Sequence, residues 1–169
     1  MALYSLDKLI AETRRLAAEY RRTTGKTLGG VSGEIAQYDA ARLLSLELVQ
    51  GHAGYDAVGR SGEREGRRYQ VKGRTLFDHS RSGQRIGQLK VDQEWDAVLL
   101  VLMDEEFSPT EIYEADRETI LQALAERADS KRGKRGAMSV ARFKHIGTLV
   151  WDALEGEVED EIWEHGGLD

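Results

Sequence analysis

The 169-residue chain contains no cysteine, which excludes disulfides and thiolate metal sites. It also lacks an apolar N-terminal stretch of signal-peptide type and any apolar run long enough to span a bilayer, so a soluble, cytoplasmic protein is expected. The histidines His52, His79, His145 and His165 are scattered, with no i, i+4 pair and no H-E-x-x-H arrangement; no zinc signature results. Gly25-Lys26-Thr27 ends like a phosphate-binding loop. The first glycine of G-x-x-x-x-G-K-T would however fall on Tyr20, and a helical pattern precedes it where a strand is required. Internal repeats and low-complexity linkers are absent, as are helix-turn-helix and zinc-finger patterns, so no familiar module for reading a nucleic-acid sequence is present.

The formal net charge is −6, which taken alone argues against a polyanionic partner. Charge is nevertheless segregated along the chain. Between Arg60 and Lys90 stand nine Lys or Arg and three acids, and between Lys131 and His145 six more bases and no acid. From Asp152 to Asp169 there are eight acids and no Lys or Arg. Basic segments with interspersed glycine suit a phosphate backbone, while basic loops of this kind also serve simply as solvated surface. Arg60, Arg67, Arg68, Arg74, Arg81, Arg85, Lys131, Arg132, Lys134 and Arg135 are the candidate nucleic-acid contacts. The acidic end is expected to be flexible, with folding back over the basic site or contact with another subunit as alternatives.

Hydrophobic periodicity predicts a helix over about Leu6 to Arg22, with Ser5 as cap and Gly25 as stop, and a second from a Ser32 cap to about Leu44. Leu46–Val49, Gly54–Gly59 and Arg67–Gly73 read as strands. Trp95–Met103, the run WDAVLLVLM, suits a buried central strand covered on both faces. Ser108-Pro109 marks a turn into Thr110–Ala115, and Asp116 caps a helix through about Arg127. A last amphipathic segment is expected over about Ser139 to Leu154. The order is α-β-β-β-β-α, one α/β domain. Trp95 and Trp151 lie in apolar periodic runs and are expected as core or interface anchors.

The chemistry concentrates in Gly54-Tyr55-Asp56-Ala57-Val58 and Tyr69-Gln70-Val71-Lys72-Gly73. In a strand Gln70 and Lys72 project from one face while Val71 turns away. If the two segments pair as a hairpin, Asp56 comes within about 5 Å of them. A carboxylate, an amide oxygen and a lysine so placed suit a hydrated Mg²⁺ and attack of water on a phosphodiester. Upstream, Glu34 falls in the first turn of the second helix, where the macrodipole favours an acid with or without a metal.

Helix-borne Glu34, then Asp56, then Gln70-x-Lys72 resembles the PD-(D/E)xK phosphodiesterase superfamily, which includes restriction endonuclease-like and Holliday-junction resolvase-like nucleases. The resemblance covers about residues 30 to 115. It implies a restriction endonuclease-like core, a central mixed sheet of four to five strands flanked by helices. The nuclease domain would span 31–154, after a helical extension over 1–30 and before an acidic tail over 155–169. It implies Mg²⁺ or Mn²⁺ held by Glu34, Asp56 and Gln70, with Lys72 positioning the nucleophilic water. Tyr55 stands where the family has proline, and Gln70 replaces the usual acid, as in the Gln-x-Lys variant of Mrr-like restriction enzymes. The implied function is a Mg-dependent DNA endonuclease, with RNA also open as substrate and a homodimer expected because cutting both strands needs two sites. The alternative is a catalytically inactive module of this fold that binds nucleic acid or a protein; a small accessory protein with ordinary salt bridges ranks third.

Overall fold

The computed structural model describes residues 5–25, 27–51, 54–76, 84–127 and 137–158. Helix α1, Leu6–Thr24, opens on a Ser5 side chain that accepts from the Lys8 N–H and closes on Gly25 at φ 71°, the left-handed conformation that glycine adopts without strain. Helix α2 spans Val31–Leu43, and its N-cap is Gly30, without a side-chain hydrogen bond, rather than the expected Ser32. Strands β1 (Leu46–Leu48), β2 (Ala57–Gly59) and β3 (Arg68–Thr75) follow in a meander. After β4 (Arg85–Gln88), strand β5 (Ala97–Met103) is buried at every residue, and β6 (Pro109–Asp116) leads into α3, Arg117–Ala125, capped by Asp116 as expected.

The segment expected to run as one amphipathic stretch over Ser139–Leu154 is divided. Strand β7 (Ala137–Ser139) and helix α4 (Val140–Ile146) give way at Gly147 to β8 (Thr148–Asp152), followed by β9 (Gly156–Glu157). The reason is steric: a Cβ on Gly147 would stand 2.9 Å from the Phe143 carbonyl and 3.1 Å from that of Glu114. Glycine lets the chain leave the helix against β6 and join the sheet as its neighbour.

The architecture is mixed α/β. Its main sheet has seven strands, not four to five, in the order β1-β2-β3-β5-β6-β8-β9, with β4 and β7 forming a separate ribbon. β3 and β5 are parallel, and the other neighbouring pairs are antiparallel. As the apolar run implies, β5 lies at the centre. Its alternate residues feed two cores. Leu99, Val101 and Met103 meet Ala17 and Ala18 of α1 and Ile35, Ala36 and Ala40 of α2 on one face. Val98, Leu100 and Leu102 meet Ile86, Trp95, Ile120 and Phe143 on the other. Among the described residues no helix is long and apolar enough to cross a membrane.

Candidate functional site

The expected hairpin forms, with Ala57 opposite Tyr69 and Val58 opposite Arg68. Pairing stops there, while β3 continues to Thr75, so β3 outruns β2 and its outer edge opens. Asp56 stands at this fork. Its N–H donates to the Tyr69 carbonyl at 2.8 Å, and its Oδ2 accepts from the Val71 N–H at 2.8 Å. The side chain thus extends the ladder by one bond beyond the last paired residue. One carboxylate oxygen is committed to the main chain, and the other is the donor that a cation would use.

A polar cavity of about 120 Å³ occupies the fork, lined by Gln37, Gly54, Asp56, Gln70, Val71, Lys72 and Lys90. Three of the sequence-predicted residues, Asp56, Gln70 and Lys72, are therefore brought together. Glu34 is not among the lining residues: it is exposed in the first turn of α2, and Gln37, one turn later, takes the place on the cavity wall. Gln37 and Lys90 were missed by sequence reasoning. Gln37 carried the signal of sharing a helix face with Glu34 at i+3, whereas Lys90 was one base among nine with no pattern to single it out.

Gln70 is buried, and its carboxamide spans the main chain of Lys90, with Nε2 donating to the carbonyl and Oε1 accepting from the N–H, both at 3.5 Å. These are long contacts, so the amide is aligned but loosely held. The Lys90 carbonyl also accepts from the Trp95 indole at 2.8 Å. Arg117 lies over the Trp95 ring at 4.5 Å and donates to the carbonyls of Val91 and Gln93. The loop that presents Lys90 is thereby strapped to the second core. Lys72 is half-buried and donates from Nζ to the Gln88 carbonyl at 3.0 Å. Burial pulls its pKa below the ordinary lysine value, assisted by Arg74 and Lys90 and opposed by Asp56.

With one carboxylate against the two lysines, the lining has a positive balance. Its oxygen donors are hard, as Mg²⁺ requires, yet among the described residues no three His, Cys, Asp or Glu side chains converge. Such a donor set fits Mg²⁺ that keeps several waters and shares its sphere with a phosphate, rather than an ion caged by protein alone.

The candidate basic contacts have varied surroundings. Arg60 is well exposed, 3.8 Å from Glu47. Arg68 is engaged by Asp96 and Glu94, each at 3.1 Å, and holds the Asp96 carboxyl below its usual range. Arg67 lies 5.9 Å over the Tyr69 ring. Arg74, its pKa lowered by burial, donates to the Arg85 carbonyl and so ties β3 to β4. Arg81, Lys131, Arg132, Lys134 and Arg135 lie outside the described residues, as do His52, His79 and all of the acidic tail from residue 159 onward. No family model matches the sequence, and a search of curated proteins returned no match.

Proposed function

We propose that this chain is a metal-dependent phosphodiesterase acting on DNA, built on a restriction endonuclease-like core. The observation that supports this reading is the convergence of Asp56, Gln70 and Lys72 on one polar cavity at the open edge of β3. Asp56 and Gln70 would hold the ion, and Glu34 has no part in its direct coordination. When bound, Mg²⁺ supplies charge neutralisation at phosphate and acidifies a water. Lys72, held by the Gln88 carbonyl and close enough to Asp56 to feel its charge, orients that water by hydrogen bonding. Lys90 attracts the phosphate backbone, and Gln37 offers an uncharged hydrogen-bonding group on the opposite wall.

One observation favours a second reading. A single carboxylate faced by two lysines attracts phosphate without any metal, as a catalytically silent binding module would. Cleavage of single-stranded, duplex and branched DNA, and of RNA, in Mg²⁺, Mn²⁺ or EDTA separates the two. Asp56→Asn is the informative variant because an amide oxygen can still accept from the Val71 N–H, whereas Asp56→Ala also leaves that donor unpaired at a cost of roughly 1–3 kcal/mol. Metal-dependent cutting is expected in wild type and lost in a folded Asp56→Asn. Salt-sensitive binding without cutting in any metal would establish the silent module instead.

A further inference from the structure

Helix α1 is fastened on one side and bare on another. Ala17 and Ala18 enter the first core, and Arg14 reaches the buried Asp39 at 2.9 Å. At about 100° per residue, Leu6, Leu9, Thr13, Leu16 and Tyr20 share an adjacent side. Leu6, Leu9, Leu16 and Tyr20 are 59%, 48%, 63% and 39% exposed, four of the seven large exposed apolar side chains among the described residues. An open space of about 550 Å³ lies against Leu9, Thr13 and Leu16, bordered by Glu12, Arg15 and Glu19. A continuous apolar stripe of this kind marks an interaction surface.

We propose that α1 is a homodimer interface, packed antiparallel against α1 of a second copy. The flank of the stripe identifies the occupant. Lys8, Glu12, Arg15 and Glu19 alternate in sign along it. A twofold axis across the helix between Thr13 and Arg14 carries this flank onto itself with the direction reversed. Lys8 then meets Glu19 of the second copy, and Glu12 meets its Arg15, so each flank charge faces its opposite across the pair, in addition to the Glu12–Arg15 and Glu19–Arg22 pairs that each helix makes within itself. With this axis Leu9 and Leu16 of one copy come within two residues, about 3 Å along the helix, of Leu16 and Leu9 of the other. An anionic membrane or nucleic acid would meet Glu12 and Glu19 unfavourably.

Sedimentation of the full chain is expected to give twice the 19.0 kDa chain mass, and Leu9→Glu with Leu16→Glu to give the monomer with unchanged helix content. Glu12→Arg and Arg15→Glu should each weaken the dimer by roughly tenfold and restore it when combined in one chain. Because the chain has no cysteine, an inserted thiol reports on geometry alone: Thr13→Cys should form a disulfide-linked dimer on oxidation and Leu6→Cys should not. A wild-type monomer at every concentration, a dimer that survives the Leu9/Leu16 variant, equal cross-linking at both sites, or a monomer that instead binds anionic vesicles would each overturn the proposal.

Discussion

Gln70 faces both hydrogen-bonding groups of a single residue, the carbonyl and the N–H of Lys90. A carboxylate at this position keeps the second contact and sets its other oxygen against the carbonyl. Gln70→Glu is therefore expected to destabilise the metal-free protein by roughly 1–2 kcal/mol and to recover on adding Mg²⁺, since a ligand bound only by the folded state raises its stability. Thermal melts in EDTA and in Mg²⁺ check this; equal melting in the two would separate Gln70 from metal binding. Lys72 offers a second test. Its folded pKa lies below the ordinary value of 10.5, chiefly through burial, so at neutral pH the fold bears the cost of a charged group. Between the folded and unfolded pKa the unfolded chain binds more protons, and stability rises with pH. Lys72→Met should accordingly be more stable than wild type near pH 7, by a margin that shrinks as pH rises toward 10.5, while losing cleavage and keeping DNA binding. Urea denaturation at the two pH values measures the margin.

At the scale of elements, the site depends on how closely α2 lies on β3. A Cβ on Gly73 would stand 2.5 Å from the Ala36 Cβ and 2.8 Å from the Ser32 carbonyl. Gly73→Ala must push the helix off the strand, at a cost of about 1–3 kcal/mol, and should reduce cleavage by moving Gln37 relative to Lys72. Comparing its activity with Gln37→Ala and Glu34→Ala tests the helix contribution, with Gln37→Ala expected to lower turnover and Glu34→Ala to leave it unchanged. The β2–β3 hairpin, the β5 spine and the caps of α1 and α3 were legible because each follows from local periodicity or a local side-chain hydrogen bond. The α4–β8 break was harder to see, because Val140, Phe143, Ile146, Leu149 and Val150 fit one helical stripe. Gly147 was the visible sign, but what makes it a boundary is the nearby Glu114 carbonyl on β6, a contact remote in sequence.

Across the whole molecule, Arg14 is the buried polar contact that holds α1 to the rest, beside Ala17 and Ala18 in the core and the Arg22–Glu106 and Tyr38–Asp7 contacts. Its guanidinium makes bonds of 3.1 and 2.9 Å to the fully buried Asp39 on α2 and also donates to the carbonyl of Phe107. Phe107 itself sits at φ 59° with its ring buried, in a turn where Asp104 accepts from the N–H groups of Glu106 and Ser108. One side chain thus joins α1, α2 and the β5–β6 turn. Among the described residues Arg14→Ala leaves the buried carboxylate with Arg42 alone, 3.7 Å away, and should cost roughly 3–5 kcal/mol in urea denaturation. Asp39→Asn, which removes the charge but keeps hydrogen-bonding atoms, should cost less. Helix α1 is consequently part of the folded unit, and the same contacts leave its apolar stripe facing outward.

Sequence alone determined which residues share a face and which segments neighbour one another through short connections. That was enough to bring Asp56 to Gln70 and Lys72, since a period of two and a tight hairpin are local properties. Tertiary structure alone decided what closes the cavity around them. Gln37 arrives on a helix packed against the opposite face of the sheet, and Lys90 on a loop fixed by Trp95 and Arg117. It also decided that the sheet grows to seven strands by adding β8 and β9 beyond β6. Periodicity states which side of an element is apolar; which other element covers that side is settled only when all the apolar faces are buried together.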